Sequence, residues 1–441
     1  MSFTVGMISL GCAKNLVDAE IMLGQLDRAG FRITNRPEEA HILIVNTCGF
    51  ITPAKEESIN QILEMARYKK NGCCRVLLAA GCLAQRYARE LLAEMPELDG
   101  LMGTGAVPRV VDVVLRALAG QRVMAVGEPG YACDSPLPRL LATPGHTAYV
   151  KIAEGCSNRC AYCAIPAIRG PYRSRPMESI REEVVQLAAR GVKEVVLVAQ
   201  DTTWYGLDLY RERRLASLLR SLAGISGIHW IRLLYGHPDG FTGDLVDVLA
   251  AEEKVCRYID LPLQHVSRPV LARMGRSGNG ERFGQLIDGL RRAIPGLTLR
   301  TTFMVGFPGE TDEDFRQLLD FVAAVRFERA GVFKFCPEEG TPAATMPRQV
   351  PEEVKEERYR RVMLLQQQIS LEHNRSLVGR RVTVLVEGQR DHLYFGRREA
   401  DAPEVDGKVF FTAGDKIIAP GDFVQVRISR AGEYDLMGEL A

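Results

Sequence analysis

Several things are missing from this 441-residue sequence, and each absence removes a class of protein. No apolar run approaches the ~18 residues needed to cross a bilayer, so no membrane-spanning segment is expected. The start, MSFTVGMISLGCAKN, has no basic stretch ahead of its apolar residues, which argues against a secretory signal and for a cytoplasmic protein. Neither sign of charge is in excess. With 56 Lys and Arg against 55 Asp and Glu, global charge gives no pull toward nucleic acid. Internal repeats and low-complexity tracts are absent. Hydrophobic residues at 46% and charged residues at 25% exclude a disordered or fibrous chain. At ~150 residues per domain the length corresponds to about three domains.

What the sequence does have is 11 cysteines, an odd number. Structural disulfides are rare in the cytosol, so metal ligation or catalysis is the first expectation.

The pattern predicts an α/β protein. Residues 1–128 alternate strand-like runs (Val5–Leu10, His41–Asn46, Arg75–Ala80) with amphipathic stretches (Leu16–Ala29, Pro53–Tyr68), as in an N-terminal parallel α/β domain. Residues 129–145 are Pro-rich and read as a linker. Residues 146–374 hold six β/α units, with strands expected at Tyr149–Ala153, Glu194–Ala199, Trp230–Tyr235, Val255–Leu261, Leu297–Val305 and Gly331–Phe335. Six units fall short of the eight of a closed barrel, so a partial (β/α)6 barrel is expected, with its chemistry at the C-terminal strand ends. A long polar helix, Pro351–Asn374, closes it. From 375 to 441, Val/Ile-rich alternation broken by Gly every ~10 residues predicts a small antiparallel β-barrel.

The sharpest motif is EGCSNRCAYCAIP, in which Cys156, Cys160 and Cys163 are spaced C-x3-C-x2-C just after the first barrel strand. Three thiolates on one loop suit a four-iron cluster with one iron left open. The competing reading is zinc completed by His146, although structural zinc usually shows paired ends. This motif at this place resembles the radical S-adenosylmethionine (SAM) superfamily. The resemblance implies that the open iron binds SAM, and that one electron from the cluster splits SAM to give a 5′-deoxyadenosyl radical. Tyr162 matches the aromatic usual there; simple packing is the alternative.

A second set has no short spacing. Cys12 ends VGMISLGC, Cys48 ends HILIVNTC and Cys82 ends RVLLAAGC. Each lies just past a predicted strand, and in a parallel sheet those ends share one edge. The three therefore converge, either as a second three-thiolate site or as buried structural cysteines. Cys73 and Cys74 lie at the opposite strand end, Cys133 in the linker, and Cys256 and Cys336 read as packing.

Two trinuclear cysteine sets followed by a small β-barrel resemble the methylthiotransferases over the whole chain. The resemblance implies two [4Fe-4S] clusters, held by Cys156, Cys160 and Cys163 and by Cys12, Cys48 and Cys82, with SAM as co-substrate. The tail looks like a TRAM domain. The strings AQDTTWYG, DLPLQHVS, VLARMGRSG, TTFMVGFPGETDEDF, FCPEEGTPAATM and DAPEVDG resemble the RimO-like branch. That branch methylthiolates an aspartate β-carbon in small-subunit ribosomal protein S-twelve, whereas the MiaB-like branches act on tRNA. An electron donor such as flavodoxin or ferredoxin is implied. The charge of the tail supports the protein substrate: ten Lys and Arg face eleven Asp and Glu between Arg375 and Ala441, where a tRNA-gripping module should be basic. The acidic cluster Glu399, Asp401, Glu404 and Asp406 suits a basic ribosomal protein, with solvated loop charge as the alternative.

Further cofactor contacts are expected from Gln200 and Asp201, after the second barrel strand, toward the SAM amino group or the substrate. A helix-capping turn is the other reading. MVGFPGETDEDF, after the fifth strand, resembles the radical SAM superfamily's Gly-rich segment, which implies that Gly306 and Gly309 pack against adenine, with Thr311 capping the next helix. Arg300 is expected at the SAM carboxylate or in a surface salt bridge.

Overall fold

The computed structural model describes residues 3–129 and 137–441. Cys133 lies outside them. The first sheet contains β1 (Thr4–Ser9), β2 (Arg32–Ile33), β3 (Ile42–Thr47), β4 (Val76–Gly81), β5 (Gly100–Met102) and β6 (Val123–Ala125). It is parallel throughout, in the spatial order β2-β1-β3-β4-β5-β6. β3 and β4 are buried along their whole length, as central strands covered by helices on both faces must be. The unexpected strands are β2, β5 and β6, two or three residues each, too short to show a period.

A two-residue antiparallel pair, β8 (Ala153–Glu154) with β9 (Arg173–Ser174), closes the base of the cysteine loop that follows β7 (Thr147–Lys151). The second sheet continues through β10 (Glu194–Val198), β11 (Trp230–Leu233), β12 (Val255–Asp260), β13 (Thr298–Val305) and β14 (Arg329–Lys334). These six parallel strands lie side by side in chain order, from β7 to β14. This is the expected six-unit partial barrel. Side chains alternate across it. Val150, Leu197, Ile231, Ile259 and Leu299 belong to the core under the outer helices. Tyr149, Val196, Val198, Trp230 and Tyr258 belong to a second core, shared with Val17, Ile21 and Met22 of the N-terminal helix Ala13–Arg28 and with Leu385 and Ala402 of the last domain. The concave side is therefore filled by the rest of the chain.

The last segment forms a closed five-stranded barrel of β15 (Arg381–Arg390), β16 (Leu393–Arg398), β17 (Val409–Thr412), β18 (Phe423–Ala431) and β19 (Leu436–Leu440), in the order β15-β16-β17-β19-β18. Four pairings are antiparallel as expected, but β17 and β19 are parallel. The chain leaves β17, forms β18 beside β15, and returns in β19 pointing the same way as β17.

The loop after β16 corrects the expectation about the acidic cluster. It enters the N-terminal end of the partial barrel. Asp401 is 1% exposed and bonded to Arg398 (2.8 Å) and Arg329 (2.7 Å). Asp406 accepts the Tyr258 hydroxyl at 2.6 Å, and Glu399 accepts the backbone N–H of Arg257. Only Glu404 of the four is exposed. These carboxylates hold the molecule together, so they form no acidic face for a basic partner. Beside them Arg397 reaches Glu194 at 2.5 Å, and Arg232 reaches the same carboxylate at 2.9 Å.

Burial alone would raise the Glu194 carboxyl, but Arg397 and Arg232 outweigh it and hold it at about 2. Glu194→Gln leaves two buried guanidinium groups short of a counter-charge, at a cost of about 3–5 kcal/mol. Because the folded value is depressed, that contribution is present above the ordinary glutamate value of 4.5 and fades as pH falls toward about 2. Thermal melting of E194Q should therefore lie well below wild type at pH 7, with the gap closing as pH drops through this window.

Candidate functional site: a cavity shared by six cysteines

The C-terminal edges of the two parallel sheets face one cavity of about 350 Å³. Its wall carries Cys12, Cys48 and Cys82 from the first sheet and Cys156, Cys160 and Cys163 from the loop after β7. Within the first set, the Cys82 thiol feels the charges of both Cys12 and Cys48, so three residues spread over 70 positions have converged.

Glycine makes that convergence sterically possible. Gly11 has φ +86°, and a Cβ there would sit 2.9 Å from Cys48 Cβ. Gly81, at φ +90°, would place a Cβ 2.6 Å from the Thr47 carbonyl. Only a residue without a side chain fits either position. Asn15 ties the edge together by donating to the Leu10 carbonyl at 2.7 Å, and Asn46 donates to the Asn15 carbonyl at 2.7 Å. Ser58 does the same for the Cys48 turn, accepting its N–H and donating to its carbonyl at 3.0 Å.

The thiols differ in their electrostatics. Burial raises Cys82 and Cys156 to about 11 and Cys163 to about 12, and raises Cys48 as well. Burial pushes Cys12 up too, but Lys14, Arg169 and the backbone N–H groups of Asn15 and Lys14 outweigh it and bring the thiol below its ordinary value. Cys12 is the N-cap residue of helix Ala13–Arg28.

Between the two sets lies a buried ionic network. Arg169, fully buried, bonds Asp18 (3.1 Å) and Glu154 (3.0 Å), and its other nitrogen reaches Asn15 (3.3 Å) and the Cys82 sulfur (3.5 Å). Lys151 pairs with Asp18 and with Glu154 (2.7 Å). Asp18 belongs to the first domain and the other three to the barrel, so the network fixes one sheet edge against the other.

Gln200 and Asp201 both line the cavity, as expected. Gln200 donates to Glu154 at 3.2 Å, while its Oε1 is buried with no partner among the described residues. Asp201 caps the turn Thr202–Trp204 and also accepts from Asn158 of the cysteine loop at 3.0 Å. The capping turn is therefore present, and both side chains stand on the cavity wall.

Three other expected residues are placed elsewhere. Arg300 sits low in the barrel, bonded to Asp260 at 2.9 Å and 3.9 Å from Asp406; the third domain has taken that position. Gly306 and Gly309 do not line the cavity. A Cβ on Gly306 would meet the Lys355 side chain at 2.2 Å, and Gly309 lies against Arg273 and Arg348. Their segment supports the cysteine loop from behind, through Phe307 edge-on to Tyr162 at 6.4 Å. Thr311 does cap the following helix, in a capping box with Asp314. His146 is buried at the start of β7, near Gly421 of the last barrel, and is not on the cavity wall. It cannot complete a site with Cys156, Cys160 and Cys163.

The sequence reading missed Lys14, Asn158, Arg169 and Arg276, all on the wall. For two of them the available signal was a polar residue beside a cysteine motif, Lys14 in GCAKN and Asn158 in CSNRC; Arg169 and Arg276 carried no such signal. Arg276 lies 3.9 Å from the Cys160 sulfur and donates to the Pro262 carbonyl.

Residues 150–322 match the Radical SAM superfamily, residues 4–103 the uncharacterized protein family UPF0004, and residues 378–441 the TRAM domain. In fold, the chain is similar to the radical SAM methyltransferase TsrM from Kitasatospora setae (TM-score 0.56, 16% identity, 78% of this chain and 75% of that one). The architecture and the cysteine-lined mouth define a radical SAM enzyme. A ribosomal protein uS12 methylthiotransferase RimO from Pelotomaculum thermopropionicum is 57% identical over 442 residues, covering 100% of this chain and 99% of that protein. A protein of the same name from Heliobacterium modesticaldum is 54% identical over 440 residues, covering 100% and 95%. The chain belongs to the RimO methylthiotransferase family.

Removing Arg169 leaves two buried carboxylates to one lysine, so Arg169→Met should cost about 3–5 kcal/mol. The double variant R169M with Glu154→Gln should lose clearly less than the two single losses combined, because the pair shares one interaction. Thermal unfolding of the four proteins measures both.

Proposed function

We infer that this chain methylthiolates ribosomal protein uS12, replacing a β-hydrogen of an aspartate with SCH3, and that each cysteine triad holds a [4Fe-4S] cluster. The supporting observation is the common cavity: two three-thiol sets open onto one space. A β C–H bond is unactivated, so no side-chain base on the wall can remove its proton; a radical route is required. A carbon radical then needs sulfur within a few ångströms, since reacting partners must approach to ~3–3.5 Å.

The donor set fits the clusters. Three thiols per set leave one iron without a protein ligand. Zinc would demand a fourth ligand, and His146 is not on the cavity wall. A four-iron cluster spreads its ligands wider. When bound, the barrel cluster supplies the electron that splits SAM, and the other cluster supplies or presents sulfur. The chain does the rest. Asn158 and Asp201 hold the cysteine loop to the end of β10. Arg276 and Arg169 direct N–H groups at one sulfur of each set. The free Oε1 of Gln200 offers an acceptor for the SAM ammonium. A flavodoxin- or ferredoxin-type protein supplies electrons from outside. No helix among the described residues is long and apolar enough to cross a membrane.

Anaerobically reconstituted protein should hold about eight irons, four per cluster. Alanine at Cys156, Cys160 and Cys163 should leave about half the iron and abolish SAM cleavage. Alanine at Cys12, Cys48 and Cys82 should also leave about half, with SAM cleavage kept and sulfur insertion lost. Four irons in fully reconstituted wild type would overturn the two-cluster assignment.

For the substrate, mass spectrometry of cells lacking this chain should show the small-subunit protein lighter by ~46 Da, one SCH3 for H, with tRNA nucleosides unchanged. Loss of a methylthioadenosine from tRNA, with the ribosomal protein unaltered, would favour the tRNA-modifying branch instead.

A further inference from the structure

Three cations line the cavity, each near a cysteine, and they differ in what else holds them. Arg169 is committed to Asp18, Glu154, Asn15 and Cys82. Arg276 leans on Cys160 and the Pro262 carbonyl. Lys14 differs. It is 7% exposed, yet its ammonium makes one long hydrogen bond, to the Ala199 carbonyl at 3.4 Å, and stands 3.5 Å above the Tyr235 ring. No carboxylate among the described residues lies within ion-pair distance of it, although an ammonium has three donors. No carboxylate among those residues neutralises this charge, and the adjoining framework holds the ammonium in place. Tyr235, the ring under the ammonium, is held at φ +61°, with its N–H on Asp260 at 2.9 Å and its carbonyl accepting from Thr202 at 3.0 Å. The chain has built a rigid seat, near Cys12, for a cation that no carboxylate among the described residues pairs.

We propose that Lys14 Nζ binds the side-chain carboxylate of the substrate aspartate, and so selects aspartate over a neutral residue at the modified position. The proposal rests on the reading of the substrate given above. The carboxylate of aspartate is bonded directly to the β-carbon. A cation that fixes the carboxylate therefore fixes the reacting CH2 one bond away. Lys14 is two residues from Cys12 and, through Tyr235 and Ala199, touches the ends of β11 and β10. An aspartate seated there lies in the cavity that both cysteine sets line. An approaching carboxylate replaces the weak Ala199 contact with a charge-assisted bond in a site of low dielectric, where such bonds are strongest. An asparagine would bring no charge to the same ammonium.

The test is equilibrium binding of recombinant ribosomal protein uS12 to reconstituted, full-length enzyme, with the target residue either aspartate or asparagine. Wild type should bind the aspartate form about 10- to 100-fold more tightly. Lys14→Met should bind both forms alike, at the wild-type affinity for asparagine, and Lys14→Arg should restore much of the preference. Iron content and melting temperature report whether each variant is folded and loaded. If K14M is loaded and still prefers aspartate, the assignment to Lys14 is wrong while the substrate reading stands. If K14M cannot retain iron, Lys14 serves the neighbouring cluster and the proposal falls. If wild type binds neither form of uS12, the substrate reading itself fails and takes this proposal with it.

Discussion

Four charges buried between the N-terminal sheet and the partial barrel set the geometry on which everything else depends. Asp18, Lys151, Glu154 and Arg169 come from three separate segments, and each carboxylate meets both cations. In a low-dielectric interior an arrangement of this kind is tolerated only when every partner is in place. Burial would raise the Glu154 carboxyl, but Arg169 and Lys151 outweigh it and hold the group well below the usual carboxylate range. The network thus fixes one relative position of the two sheets, with both C-terminal edges turned toward the same space. Hydrophobic contact alone, as between Val17 or Met22 and Tyr149 in the shared core, would leave more freedom to slide.

The same logic recurs at the other end of the barrel. There Glu194 takes Arg232 from the barrel and Arg397 from the last domain, while Asp401 takes Arg329 and Arg398. The five-stranded barrel is therefore seated by buried ion pairs at the N-terminal strand ends, away from the cysteines. Small-domain interfaces often allow relative motion; paired charges of this depth oppose it. This end has no duty at the mouth, which is why Arg300, despite lying on the strand that leads to the Gly-rich segment, serves the joint between domains.

Much of this was legible in the sequence, for definable reasons. The period of apolar runs marked the long strands, and the position of Cys12, Cys48 and Cys82 just beyond three of them was enough to bring distant residues together, because a parallel sheet has only one C-terminal edge. Burial of charge was not legible. Asp401 and Asp406 look like a solvated acidic loop in DAPEVDG, and nothing local says that Arg329 and Tyr258, some 70 and 150 positions earlier, wait for them. Gly306 and Gly309 show the same limit. A Gly-Pro turn announces close approach, but its neighbour proved to be Lys355 of the closing helix, Glu352–Arg375. Sequence spacing predicts what shares an edge; it does not predict which long side chain crosses a gap.

The cavity itself combines two requirements that pull against each other. Clusters need thiolates held close together and away from water, and burial raises thiols such as Cys82, which stands at about 11 even with Arg169 beside it, disfavouring the thiolate. Cations near the sulfurs relieve this, as Arg169 does for Cys82 and Lys14 does for Cys12. Each such cation must in turn be compensated. Arg169 is balanced by carboxylates from both domains, so its charge is internal and permanent. Lys14 stands over an aromatic face and donates to one carbonyl, with no carboxylate partner among the described residues. For the substrate carboxylate proposed to bind there, this difference is the point: a lysine already paired with a wall carboxylate would offer an aspartate no more than it offers a neutral side chain, whereas one without such a partner can still form a charge-assisted bond.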